Sequence, residues 1–149
     1  MRSVAHCLTH LALLAVDGNE HEAARELVSE SISLTRKSGE RWAAAANLEV
    51  CASLATAQDD PARAARLAAS ASVLRAEAGF DPCELGWPEP ELHVARLRAV
   101  LGEDAFAAAS AEGRAMRLND ALDYAVAEDA ARGSLDHPAR RVDLLARRA

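Results

Sequence analysis

Shifted against itself by 40 residues, the chain aligns Leu8 with Leu48, Ala12 with Ala52, Leu14 with Leu54 and Ala15 with Ala55. The same shift carries on through Ala24 and Ala64, Leu27 and Leu67, Leu34 and Leu74, and Gly39 and Gly79. Leucine and alanine match cheaply in an alanine-rich chain, but the paired glycines fall where each second helix must stop. The self-similarity therefore predicts two helical hairpins in tandem over the first half of the chain.

The breaks between helices have local causes. Asp17-Gly18-Asn19 interrupts the first hairpin, with Asn19 expected as N-cap of the second helix and Glu22 reaching back as in a capping box. Gln58-Asp59-Asp60-Pro61 interrupts the second, with Asp60 as cap and Pro61 at the first helical position, where its missing N–H costs nothing. Gly39 and Gly79 can take the left-handed conformation that ends a helix. Phe80 to Pro88, with two prolines and a glycine, reads as the one long loop. Helices resume at about 89–101, 103–112 and 119–129, punctuated by Gly102 and Gly113, and no strand is expected anywhere. The period exceeds the roughly 34 residues of a regular tetratricopeptide repeat, so the expected architecture is an all-α, TPR-like array, an α-solenoid of about seven helices.

Composition narrows the function. Half of the 149 residues are hydrophobic but only 3% are aromatic, so the core must come from close helix packing rather than large rings. The net charge of -6 is uneven: five arginines against Asp136 and Asp143 make residues 132–149 about +3, which leaves the body near -9. An acidic body repels phosphate, and the aromatics Trp42, Phe80, Trp87, Phe106 and Tyr124 are too scattered to form a stacking platform, which argues against nucleic-acid binding by this chain alone. Cys7, Cys51 and Cys83 have no close-set spacing, so reduced and mostly buried thiols are expected rather than a disulfide framework or zinc knuckle. Leu11 to Val16 is the strongest apolar run and falls far short of a bilayer span. With no basic leader or cleavage pattern, the expectation is a cytoplasmic protein.

Trp42, Leu48-Glu49, Leu54-Ala55, Gln58, Pro61, Arg63-Ala64-Ala65-Arg66-Leu67, Leu74-Arg75 and Gly79 resemble the last TPR-like repeat of large ATP-binding bacterial transcriptional regulators of the LuxR and AfsR-like types. Leu101-Gly102, Phe106, Ala109, Ala111-Glu112-Gly113-Arg114-Ala115 and Ala121 resemble the segment that closes that array, so the likeness covers roughly residues 40–128. It implies a sensing or scaffolding piece of a nucleotide-driven switch. The sole lysine, Lys37, has no glycine in the five residues before it, so there is no phosphate-cradling loop. The stretch after the closing segment is too short for a terminal DNA-binding domain. Ser110 stands where the family usually carries Trp, and Arg117 where it carries a capping Thr, so the last helix is expected to begin late, at Asn119.

Candidate sites are few. His6 and His10 stand at i and i+4, the zinc-protease spacing, but Cys7 replaces the glutamate base and His21 lies beyond the turn, so surface or groove histidines are expected, with no metal and no cofactor. A helical wheel of residues 40–57 puts Ala44, Leu48, Cys51, Leu54 and Ala55 on a core stripe and Trp42, Glu49, Ser53 and Thr56 opposite it. Those four are the expected partner-binding residues, with Trp42 packing on the preceding hairpin as the structural alternative and truncation of Glu49 expected to be nearly neutral. Asn47, inside the apolar stripe, needs a hydrogen-bond partner, most simply a backbone carbonyl. Arg63 and Arg66 are expected to form solvated ion pairs. Trp87 reads as a recognition tip or as a ring pinning its loop onto the array. No residue set supports catalysis.

The sequence thus reads as residues 1–129 forming a TPR-like domain with closing helices and 130–149 an Arg-rich, flexible tail. The expected role is a non-catalytic module for protein–protein interaction or effector sensing, related to the C-terminal part of a transcriptional regulator, with a protein or small-molecule effector in its groove. A stand-alone adaptor or oligomerisation module is the first alternative and a small metal-dependent enzyme the second. The Leu8, Leu11, Leu14 stripe has no polar capping repeat before it, which predicts association, including a homodimer, through the first hairpin.

Overall fold

The computed structural model describes residues 4–79 and 90–136, with side chains to Ala127, and these residues form seven helices and no strand. They are α1 (Val4–Asp17), α2 (His21–Ser38), α3 (Arg41–Ala57), α4 (Pro61–Ala78), α5 (Pro90–Leu101), α6 (Glu103–Ala115) and α7 (Leu118–Asp136). The expected loop over 80–88, with Trp87 and Cys83, lies outside the described residues.

The 40-residue period is written into the backbone. Helices α2 and α4 begin and end 40 residues apart, Asn19 and Asp59 take φ of 60° and 61°, and Gly39 and Gly79 take 71° and 64°. Turn hydrogen bonds repeat as well: the Glu20 N–H donates to the Ala15 carbonyl at 2.8 Å and the Asp60 N–H to Ala55 at 2.9 Å. That bond, with Asn19 N–H on Val16 and Asp59 N–H on Thr56, is the Schellman ending of a helix, whose penultimate position demands a left-handed residue. Asn19 is therefore the terminator of α1 and not the N-cap of α2. Glu20 holds the cap position without a side-chain bond, so the expected capping box is absent. Asp60 does cap, accepting from the Arg63 N–H at 3.2 Å with Pro61 following it.

Packing follows from small side chains. Alanine has the highest helix propensity and lets helix axes approach, and α3 is buried around most of its circumference, from Ala43 to Ala55. It lies between the α1–α2 pair and α4; α5 and α6 pack on α4, and α7 returns over α2, α3 and α4. The closing helices are longer than their glycine punctuation suggests. Gly102, at φ 82°, does precede α6, but Gly113 sits inside that helix. There a Cβ would stand 2.1 Å from the Arg66 carbonyl oxygen of α4, so the glycine marks a close helix crossing rather than a stop. Helix α7 starts at Leu118, one residue before the expected Asn119, and runs on to Asp136, past the expected end at 129.

Two buried polar clusters lock the layers. Asn47 is fully buried, and its partners are hydroxyls rather than the backbone carbonyl expected of it: Thr9 Oγ1 donates to its Oδ1 at 2.8 Å and its Nδ2 donates to Thr35 Oγ1 at 3.1 Å. Ser31 Oγ then donates to the Ala5 carbonyl at 2.9 Å and Thr35 Oγ1 to the Ser31 carbonyl at 2.8 Å, which ties α1, α2 and α3 together. Arg63, expected in solvent, is 1% exposed. Its guanidinium donates to the carbonyls of Tyr124 at 3.3 Å and Ala125 at 2.9 Å and lies 4.9 Å from the Tyr124 ring centroid, pinning α7 to α4. Arg36 and Asp123, 2.5 Å apart, join α2 to α7 at a more exposed point.

Candidate functional site

The four residues singled out on α3 do not form one surface. Trp42 is half-buried with its ring 4.9 Å from that of His6 on α1, and His6 lies 4.5 Å from His10. The tryptophan thus packs on the preceding hairpin. His6 is buried rather than at the surface, because α3 brings Trp42 over it. Glu49 forms an ion pair with Arg75 of α4, and both side chains are mostly shielded. Thr56 meets His93 Nε2 of α5 at 2.8 Å. Burial, and then the Arg96 charge, hold the His93 pKa below its ordinary value, which favours the neutral ring. Ser53 is half-buried between these contacts.

Glu49, through its ion pair with Arg75, leads to a cleft. In the first hairpin, Thr9 and Thr35 are neutral hydroxyls bridged through Asn47; 40 residues on, those positions are Glu49 and Arg75. The substitution puts a guanidinium on the wall of an open cleft of about 430 Å³ between α4, α5 and α6. Its floor is open because α4 offers only Ala65, Ala68, Ala69 and Ser72 there. Val94 and Phe106 supply apolar surface, and Arg98 lies over the Phe106 ring at 4.8 Å from its centroid. Arg75, Arg98 and Arg114 face the cleft with Glu91, and carboxylates at its edge answer two of the arginines, Glu49 pairing with Arg75 and Glu103 lying 3.6 Å from Arg98. Desolvation lowers the Arg75 pKa somewhat, and the nearby Glu91 opposes that shift.

None of the four α3 residues lines the cleft, Glu49 touching it only through Arg75, and the wheel missed Arg75, Arg98, Phe106 and Arg114, which come from helices whose juxtaposition no single-helix pattern encodes. Arg66, the other arginine of α4 expected to pair, does so with Glu112 at 2.5 Å, a hydrogen bond that raises its pKa. Cys51 is buried and Cys7 exposed, so the first cysteine is not in the core as expected. Among the described residues no group of three or more His, Cys, Asp or Glu side chains is arranged to hold a metal ion. No helix among them is long and apolar enough to cross a membrane. Compared with protein-family models, curated proteins and solved structures, the chain has no match.

Proposed function

We propose that this chain is a non-catalytic helical-repeat module of TPR-like, solenoidal type that holds a segment of a partner protein or an effector in the cleft between α4, α5 and α6. The observation that carries the reading is the cleft itself, with three arginines around an alanine floor and one phenylalanine. A rim of guanidiniums over apolar surface suits a ligand with carboxylates beside apolar side chains, which would exchange with Glu49 and Glu103 at Arg75 and Arg98 and meet Arg114 directly. An acidic amphipathic peptide fits that description.

The likeness to the repeat region of LuxR-type and AfsR-like regulators supports the same reading. Ser110, where those regulators usually carry Trp, lines the cleft, and its small side chain leaves room that a ring would fill. On this reading the module is cytoplasmic and transmits an effector signal in transcription regulation, the ATPase and DNA-binding parts residing elsewhere.

The test is fluorescence anisotropy of a dye-labelled helical peptide with Glu and Leu at alternating helical faces. Wild-type protein is expected to bind it saturably and more weakly as salt rises, and an Arg98→Glu/Arg114→Glu variant to bind about tenfold more weakly or worse. Equal binding by both proteins, or none at millimolar protein, defeats the cleft as the site.

A further inference from the structure

Helix α1 carries an apolar seam that nothing among the described residues covers. Val4 is 66% exposed, Leu11 51% and Leu14 64%, and Cys7, between them, is exposed too. Their spacing is three, four, three, the a/d spacing of a helix–helix seam. Between Val4 and Val16 the helix has no Asp, Glu, Lys or Arg, in a chain where 27% of residues are charged.

The repeat shows what this face is shaped for. Forty residues on, the equivalent positions are Ala44, Asn47, Cys51 and Leu54, and all four are fully buried, because there the α1–α2 pair packs over them. In α3 that packing includes Asn47, which requires the hydroxyls of Thr9 and Thr35 from the covering helices. In α1 the corresponding residue is Cys7, which makes no such demand. The α1 seam can therefore be covered by a purely apolar helix face.

We propose that this face binds a second copy of itself, α1 against α1 in antiparallel register about a twofold axis. A contact of this symmetry must be complementary to itself, and the seam meets that condition because its spacing reads the same from either end. Val4 then faces the partner's Leu14, and Cys7 the partner's Leu11. The antiparallel sense is set by charge. Asp17, the only charged residue of the helix, lies at its C-terminal end, and antiparallel pairing places it by the positive N-terminal end of the partner's α1. Parallel pairing sets the two aspartates side by side. The interface is one helix face of three turns, at the small end of specific contacts, so the dimer is concentration-dependent rather than obligate.

Sedimentation velocity over a micromolar-to-millimolar series tests the association. Wild type is expected to shift reversibly from monomer to dimer, with Leu11→Glu weakening the dimer about tenfold or more and Val100→Glu, on the exposed face of α5, leaving it unchanged. Circular dichroism of each variant confirms that the helices are intact. A wild type monomeric throughout, as expected if the face awaits a hairpin of some other chain, overturns the proposal, and so does a Leu11→Glu variant that dimerises like wild type. Orientation is read by disulfide trapping in a Cys83→Ser background. Leu11→Cys should cross-link rapidly under mild oxidant and lose the cross-link when Cys7→Ser is added, whereas rapid linking through Cys7 alone indicates parallel helices and overturns the register.

Discussion

Gly113 shows how a single atom can set the distance between two helices. A glycine inside a helix ordinarily weakens it, and exchange for alanine is then stabilising by roughly 0.5–1 kcal/mol. At Gly113 the sign reverses, because the added Cβ would meet the Arg66 carbonyl oxygen at 2.1 Å and the Ala69 Cβ at 3.0 Å. Backbone cannot swing aside as a side chain can, so α6 must withdraw from α4. Gly113→Ala is expected to destabilise by about 1–3 kcal/mol in urea denaturation; a stabilised variant would mean that the crossing is looser than described. Glu49 carries a similar lesson. A wheel makes it a solvent position with a nearly neutral truncation, but its pairing with the shielded Arg75 means that its removal strands a charge.

At the scale of the element, the same turn was built twice with different chemistry. Both α1 and α3 end through a left-handed residue that is not glycine, Asn19 and Asp59, yet only the second turn is followed by a capping carboxylate. Asp60→Ala should cost about 1 kcal/mol by freeing the Arg63 N–H, whereas Glu20→Ala should change stability by only a few tenths. Thermal denaturation of the two variants side by side checks this, and equal losses would show that the cap bond contributes nothing. The asymmetry matters because Asp60 starts the helix that carries Arg63, Arg66 and Arg75.

Across the whole molecule, α7 holds the layers together through a charge that stays out of solvent. Arg63 reaches the Tyr124 and Ala125 carbonyls from α4, and a methionine at that position would fill much of the space with no donor to offer. Arg63→Met is expected to lose about 2–4 kcal/mol. Amide exchange should locate the effect, with protection over residues 118–127 falling well before that of α3. If α7 keeps its protection, its docking rests on Ala121, Leu122 and the other apolar contacts alone.

How much of this was legible beforehand depended on how local the cause was. The 40-residue period, the left-handed glycines, the Asp60–Pro61 helix start and the all-helical content are visible in the sequence because each arises from a few neighbouring residues and their backbone preferences. The core stripe of α3 was visible for the same reason, helical periodicity being a property of one segment. Tertiary structure alone decided the rest. Asn19 could equally end one helix or begin the next, and only the Schellman bonds of the packed turn chose. Gly113 has the composition of a stop and becomes a crossing point because α4 lies against it. Asn47 and Arg63 acquire their roles from groups 12 to 62 residues away, and the arginines of the cleft theirs from three helices meeting, at distances set by how the helices stack. A polar side chain declares in sequence only that it needs a partner, and packing determines which one it has.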